Sequence, residues 1–543
     1  MERRDVKTQP IDGQKPGTSG LRKKTRVFME PGYLENFTQA IWDGIGGAEG
    51  KTFVLGGDGR YFNDRAAQVI LRMAAASGAK KVIVGRNALL STPAASNLIR
   101  KRGTDGGIVM SASHNPGGPD EDFGIKFNMA NGGPAPEDVT GRIFEATKTI
   151  ESYATGEGDD IDLGGLSEAR IGGMAVEIVD PVTDYAELME SLFDFDAISD
   201  LLAGGFRIVF DAMHAVTGPY AIEILENRLG AAQGSVLNAV PSPDFGGGHP
   251  DPNPIWAKPL VDMVMSDAPP DFAAASDGDG DRNMILGKGV YVTPSDSLAV
   301  LAANAHLAPA YAGGLAGVAR SMPTSRALDR VAEARGLDVY ETPTGWKFFG
   351  NLLDAGRITL CGEESAGTGS DHVREKDGLW AVLLWLNVLA KRRESVAEVM
   401  AGHWLEFGRN YYSRHDYEGV DKDRAEEMID TLRAAARDLP GHMVAGRQIT
   451  EADDFAYDDP VDGSRSEHQG IRVSFEGGGR VVYRLSGTGT VGATLRVYLE
   501  DLETNPDRLG EDAQNALAPM IDAAEEIAGI KAHTGRDAPD VVT

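Results

Sequence analysis

Short apolar runs alternate with longer helix-like stretches from Thr52 to Arg393, which restricts the chain to folds built on parallel sheets covered by helices. Thr52-Phe53-Val54-Leu55 reads as a buried strand. Asn63 or Asp64 then caps a helix from about Arg65 to Ala76 that stops near Gly78. Lys81 to Val84 is the next strand, Thr92-Pro93 starts a helix with proline at its first position, and Ile108 to Met110 is a third strand. A second unit begins near Asp184, with strand Phe206 to Phe210 and a helix from Gly218-Pro219 to about Gly230. A third begins near Ser295, with strand Gly317 to Ala319, a helix capped by Thr324 or Ser325, strand Ile358 to Cys361 and helix Asp377 to Arg393. From Gly408 the pattern changes: Arg472 to Phe475, a turn at Gly477-Gly478-Gly479 and Arg480 to Leu485 read as an antiparallel hairpin. A chain of 543 residues accommodates roughly three to five domains. The expected boundaries are 1–183, 184–294, 295–407 and 408–543.

Ligands of such sheets bind beyond the carboxyl ends of the strands, so the loops there carry the chemistry. Asp277-Gly278-Asp279-Gly280-Asp281-Arg282 follows the apolar run Phe272 to Ala275. Three carboxylates at alternate positions repel one another unless a cation lies among them, and the glycines let the backbone curl around it. Oxygen-only ligands on a tight loop suit Mg²⁺ first, and Mn²⁺ or Ca²⁺ after it. An EF-hand would need Gly at the sixth loop position and Glu at the twelfth, where this chain has Arg282 and Lys288. A plain acidic turn before Met284-Ile285-Leu286 accounts for one aspartate and poorly for three. Arg282 beside them points to a second anion, such as a phosphate.

The net charge of -29 argues against nucleic acid and anionic membranes as partners and requires any anion site to be a local cluster of basic groups. Cys361 is the only cysteine, so there is no internal disulfide; a buried structural thiol is the natural reading of it. Residues 1–24 hold no apolar segment, and the longest apolar stretch, Leu379 to Ala390, is shorter than a bilayer span and carries Asn387. The expectation is a soluble, cytoplasmic protein.

Three further loops stand out. Ser113 lies among Ser111, His114 and Asn115 on a glycine-rich turn; it could cap a turn, or carry a phosphoryl group if the metal loop lies close by. Gly-x-Ser-x-Gly is absent, so a hydrolase triad is disfavoured. Lys126, between apolar neighbours, could be drawn into the crevice. Arg484-Leu485-Ser486-Gly487-Thr488-Gly489-Thr490, with Arg496 beyond it, has the donors of a phosphate cradle but not the Gly-Lys-Ser/Thr of a P-loop.

Together these segments carry a family likeness. Ser111 to Pro119 with Asp122 to Asn128 resembles the active-serine segment of the phosphoglucomutases, in the α-D-phosphohexomutase superfamily. The likeness continues through Gly17 to Arg22, Gly56 to Asn63, the aspartate loop, Glu341 to Lys347, Cys361 to Lys376 and Arg484 to Arg496, in the family's order. It implies an α/β protein of four domains around a central cleft, the first three sharing a mixed, mostly parallel sheet topology and the fourth a smaller α+β domain. It implies a phosphorylated Ser113, Mg²⁺ on Asp277, Asp279, Asp281 and a phosphoserine oxygen, and glucose 1,6-bisphosphate as intermediate and activator. Lys126 and His114 become acid/base candidates. Thr18, Ser19, Arg22, Arg282, Thr344, Gly345, Glu363, Ser365 and Lys376 become contacts to sugar phosphate. Arg484, Ser486, Gly487, Thr488, Thr490 and Arg496 would hold the phosphate that is not transferred. A desolvated Lys126 beside other cations is expected to have a lowered pKa. Sugar phosphates are the implied partners, in a monomer or dimer. Phosphomannomutase activity, a phosphatase, or a silent scaffold of the same fold are the alternatives. Ser111 stands where relatives often carry Thr, and Ala366 where many carry an aromatic.

Overall fold

The computed structural model describes residues 2–17, 19–486 and 492–543. The chain forms two compact units, Met1–Ser297 with Asn304–Ala316 and Gly345–Ala397, and Leu298–Ala303 with Gly317–Thr344 and Glu398–Thr543.

In the first unit, strand Thr52–Gly57 runs parallel to Lys81–Leu89 on one side and to Gly106–Met110 on the other. Helices Asn63–Ala76 and Thr92–Arg102 make the crossovers. Met174–Val179 extends the parallel part, and antiparallel strands close both margins: Ser167–Ile171 at one, Asp122–Met129 and then Leu21–Lys24 at the other. The expected parallel sheet is therefore parallel at its centre. Helix Asn63–Ala76 forms because Ala66, Ala67, Ile70, Leu71 and Ala74 recur on one face, and all five are buried in the core with Phe53, Leu55 and Val84. Burying Ile70 or Leu71 contributes about 1.5–3 kcal/mol each.

The second sheet of this unit has Ile208–Asp211 parallel to both Val236–Leu237 and Phe272–Ser276. Phe272–Ser276 then turns through residues 277–282 into the antiparallel strand Asn283–Gly287. The aspartate loop is thus the tip of a β-turn-β element in a buried sheet. The antiparallel pair Leu360–Gly362 and Thr368–Ser370 also belongs here. So does helix Gly378–Arg392, capped by Asp377 and buried on every face from Gly378 to Ala390. Its Asn387 is satisfied, donating to Leu307 O at 3.0 Å and accepting from Asp194 N at 2.9 Å. The longest apolar stretch is therefore a core helix, and among the described residues no helix is long and apolar enough to cross a membrane.

The second unit holds the parallel pair Val318–Ser321 and Val339–Thr342 and a larger antiparallel sheet. In that sheet Ile471–Phe475 and Arg480–Ser486 form the expected hairpin, and Ala493–Glu503 runs between Arg480–Ser486 and Arg409–Val420.

Local boundaries depart from the sequence reading where side chains have other work. Asn63 is the first residue of its helix rather than the cap, because its amide donates to Ala88 O at 3.1 Å. The strand expected at Phe206 begins at Ile208, since Arg207 N is taken by Asp271 Oδ2 at 2.8 Å. The strand ending at Cys361 is Leu360–Gly362. The helix expected after Thr324 or Ser325 is Ala327–Arg335, where Ser325 Oγ accepts from Ala327 N while donating to Glu500 at 2.6 Å.

Candidate active site

The aspartate loop brings Asp277, Asp279 and Asp281 together, with one carboxylate oxygen from each within 4.8 Å of the others. All three are nearly inaccessible to solvent. Gly280 has φ +81°, which lets the loop reverse direction, and a side chain at Gly278 would lie 2.4 Å from Ser113 O. The serine loop is therefore packed directly on the metal loop.

Each carboxylate is oriented by its partners. Asp277 accepts from Ser113 Oγ at 2.7 Å and from Arg282 N at 3.0 Å. Asp279 Oδ2 accepts from Thr92 Oγ1 at 2.7 Å, and Asp281 Oδ2 lies 3.1 Å from Lys376 Nζ. Asp279 Oδ1 and Asp281 Oδ1 are buried without a hydrogen-bond partner among the described residues. Buried orphan oxygens in an all-oxygen donor set fit a hard cation, so the residues present suit a metal ion. The protein alone spreads the charge unevenly. Burial, with Asp279 and Asp281 close by, raises Asp277 well above the carboxylate range. Asp279 resists burial and falls to about 2 because Lys126, the Thr92 hydroxyl, Lys376 and Arg22 favour its charged form.

Ser113 has φ +53°, a conformation rare outside glycine. Its N–H donates to Ser111 Oγ at 2.7 Å, and its carbonyl accepts from Arg60 Nη2 at 2.8 Å. Arg60 also donates to Asp122 O and pairs with Asp58, both side chains fully buried. Ser113 Oγ points at Asp277, so the neighbouring His114 is no triad partner for it.

Arg22, Arg282 and Lys376, with Arg60, surround His114, and together with burial they hold its imidazole well below the usual range, hence neutral. Arg22 Nε and Arg282 Nε are buried without hydrogen-bond partners among the described residues. This is the local basic cluster that an acidic protein needs to hold an anion.

Lys126 departs from expectation. It is buried, but Glu375, Asp279 and Asp281 outweigh desolvation and raise its pKa instead of lowering it. Its Nζ lies 3.2 Å from Glu375 Oε1, which also accepts from Asn128 at 2.9 Å.

Glu363 is buried and accepts from Gly345 N at 3.0 Å. Ser365 and Ser19 are half-buried on their loops. Asn283 N donates to Ala366 O at 3.0 Å, joining the Glu363 loop to the end of the metal loop. Cys361 is a buried free thiol raised well above its usual range by burial, as suits a structural residue.

Thr344 lies in the second unit, its hydroxyl buried without a hydrogen-bond partner. Arg484 and Ser486 end one strand there; Arg484 donates to Gln469 O at 3.1 Å, and Arg496 lies 3.7 Å from Asp416. Thr18, Gly487, Thr488 and Thr490 lie outside the described residues.

Four residues of this arrangement escape a reading of the sequence: Arg60, Thr92, Asn128 and Glu375. Each acts through a partner distant in the chain, so only the fold reveals it. Glu375 offers the one local signal, a carboxylate flanked by Arg374 and Lys376.

A buried serine hydroxyl, a carboxylate triad and a cluster of cations lie together on α/β domains, a combination suited to phosphoryl transfer. Family models match nearly the whole chain. Those for phosphoglucomutase/phosphomannomutase α/β/α domains I, II and III match residues 13–154, 183–289 and 294–407. That for the phosphoglucomutase-1 C-terminal domain matches residues 409–540. A phosphoglucomutase of Rhizobium radiobacter is 62% identical over 538 residues, covering 99% of both chains. A chloroplastic phosphoglucomutase of Arabidopsis thaliana is 52% identical over 557 residues, covering 100% of this chain and 89% of its own. The open-form crystal structure of the exocytosis-sensitive phosphoprotein pp63/parafusin (phosphoglucomutase) from Paramecium superposes with a TM-score of 0.93 at 48% identity, covering 100% of this chain and 99% of that one. The chain belongs to the phosphoglucomutase/phosphomannomutase family, with three α/β/α domains and a distinct C-terminal domain.

Proposed function

We propose that this chain reversibly interconverts α-D-glucose 1-phosphate and glucose 6-phosphate, with Ser113 as phosphoryl carrier and glucose 1,6-bisphosphate as bound intermediate and activator. The observation that carries this reading is Ser113 Oγ at 2.7 Å from Asp277 of the carboxylate triad, with the cations Arg22, Arg282 and Lys376 around the adjacent His114. Full-length relatives named phosphoglucomutase support it.

In the forward direction the P–O bond of phosphoserine 113 breaks as the 6-hydroxyl oxygen of glucose 1-phosphate bonds to phosphorus. The hydroxyl proton passes to a base, for which Lys126 and His114 are the candidates, and Ser113 Oγ departs. The bisphosphate reorients; Ser113 Oγ then takes the 1-phosphate, and glucose 6-phosphate remains. A Mg²⁺ ion on Asp277, Asp279, Asp281 and a phosphoserine oxygen would neutralise charge on the transferring group. Arg22, Arg282 and Lys376 would hold phosphate oxygens in line, since such transfer depends on positioning and charge neutralisation. His114 is suited to donate a hydrogen bond, while the burial and cations that keep it neutral make it a weak proton acceptor. Lys126, held protonated by Glu375, must lose its proton before it can act as base.

Glu363 and Ser365, with Thr18, Ser19, Thr344 and Gly345, would bind sugar hydroxyls and phosphate. Arg484, Ser486, Gly487, Thr488, Thr490 and Arg496 would hold the phosphate at rest. Domain boundaries near 183, 294 and 407 are supported by the ranges the family models match. A cytoplasmic location is supported by relatives named cytoplasmic, although others are named chloroplastic. A monomer or dimer free of nucleic acid fits the acidic chain.

Parallel assays with glucose 1-phosphate and mannose 1-phosphate, each with bisphosphate activator, test the substrate. The expected result is a kcat/KM strongly favouring glucose 1-phosphate. Comparable values would make this a dual-specificity enzyme, and steady phosphate release without isomer would make it a phosphatase.

A further inference from the structure

Thr92 is fully buried, and it touches the metal loop twice. Its N–H donates to Asp279 O at 2.9 Å, and its hydroxyl donates to Asp279 Oδ2 at 2.7 Å. The residue is itself fixed. It opens helix Thr92–Arg102, whose N-cap Ser91 accepts from Ala94 N at 3.3 Å and donates its own N–H to Tyr220 OH at 3.3 Å. A side chain at Gly280 would strike Thr217 and Ser91, so the loop sits tightly against this helix start.

The consequence lies in the two oxygens of one carboxylate. Oδ2 of Asp279 is engaged by the hydroxyl, while Oδ1 is buried with no hydrogen-bond partner among the described residues. We propose that Thr92 is a positioning residue that sets the ion selectivity of the site: by occupying Oδ2, it leaves Asp279 a single oxygen for a cation. Small ions such as Mg²⁺ and Mn²⁺ take one oxygen from each carboxylate in a near-octahedral shell. Ca²⁺ accepts two from the same carboxylate and tolerates irregular, more numerous ligands. A carboxylate restricted to one oxygen therefore discriminates against Ca²⁺. Releasing Oδ2 lets the group rotate and offer both oxygens.

This inference rests on the metal reading above, and the experiment separates the two. Mn²⁺ and Ca²⁺ dissociation constants are measured by calorimetry on the full-length dephosphorylated protein, wild type, Thr92→Val and Thr92→Ser, with thermal unfolding in chelator recorded alongside. Wild type that bound neither ion would overturn the metal reading itself. With wild-type binding intact, Thr92→Val should weaken Mn²⁺ binding by about 10–100-fold, the usual effect of losing such an outer partner. Ca²⁺ binding should weaken less or strengthen, so that the Mn²⁺ preference falls. Thr92→Ser, which keeps the hydroxyl, should retain that preference. Unchanged constants in Thr92→Val, or equal weakening of both ions, would overturn the proposal, because a purely structural role lowers both affinities together. If Thr92→Val fails to fold, Thr92→Ala removes the same hydroxyl with less bulk and is read by the same ratio; a collapse of the ratio in Thr92→Ser would also overturn the assignment.

Discussion

Lys126 and Glu375 form a buried ion pair beside the aspartate loop. Their Nζ···Oε1 separation is 3.2 Å, and neither side chain reaches bulk water. Because Glu375 and the aspartates raise Lys126, a base role for the lysine predicts activity that climbs with pH toward the alkaline side. Replacing Glu375 with Gln removes a charge that raises Lys126, so the alkaline limb of the kcat profile should move to lower pH. An unmoved limb would take the base role away from Lys126. The pair Asp58–Arg60 is a second residue-scale test, since Arg60 also holds the Ser113 carbonyl in its left-handed turn. Asp58→Asn leaves a buried guanidinium without its counter-charge and should cost about 3–5 kcal/mol in urea unfolding. A loss below that of an ordinary surface change would contradict its place in the serine loop.

Elements are held by equally specific devices. Helix Gly378–Arg392 is apolar all round, with Trp380 and Trp385 fully buried and their indole N–H groups donating to Tyr311 and Ser297 at 2.8 Å. Trp385→Ala opens a cavity and strands the Ser297 hydroxyl, so a loss of about 3–5 kcal/mol is expected by denaturant titration. In the second unit, Glu341 pairs with Arg320 of the neighbouring strand Val318–Ser321 at 2.8 Å, and joins Val339–Thr342 to the antiparallel sheet through Arg480 at 3.5 Å and Arg472. Despite burial, Arg320, Arg472 and Arg480 lower its carboxyl to about 2. A depressed folded-state pKa gives stability that is present above the ordinary carboxylate value and is lost as pH falls toward 2. Glu341→Gln should therefore be less stable at pH 7, with a shallower acid limb; a wild-type acid limb in the variant would contradict this. The crossover helices and the hairpin at Gly477–Gly479 were legible in the sequence because periodicity and glycine turns are local signals. The antiparallel margins of the first sheet were not, because strand direction at an edge depends on where the chain re-enters rather than on the residues of the strand.

At the scale of the whole chain, the aspartate loop and Ser113 could be read before any fold was known, since three spaced carboxylates and a glycine-rich serine turn are chemically unusual in themselves. Their contact could not: residues 113 and 277 meet only because two sheets of one unit pack their loops together, giving the 2.7 Å hydrogen bond. The raised pKa of Lys126 has no local signal for the same reason, as Glu375 lies 249 positions away in sequence. The net charge of -29 makes the basic cluster around His114 all the more necessary, because a sugar phosphate approaching this surface is repelled until it reaches that cluster. Ser113 as carrier of the phosphoryl group is the centre of the proposed chemistry. Intact-protein mass spectrometry of wild type and Ser113→Ala, each incubated with glucose 1,6-bisphosphate and Mg²⁺, tests that directly. Wild type should gain one phosphoryl group, and the folded Ser113→Ala protein should gain none and lose nearly all isomerisation. A phosphoryl group on Ser113→Ala, or its absence from a wild type that still isomerises glucose 1-phosphate, would contradict the account.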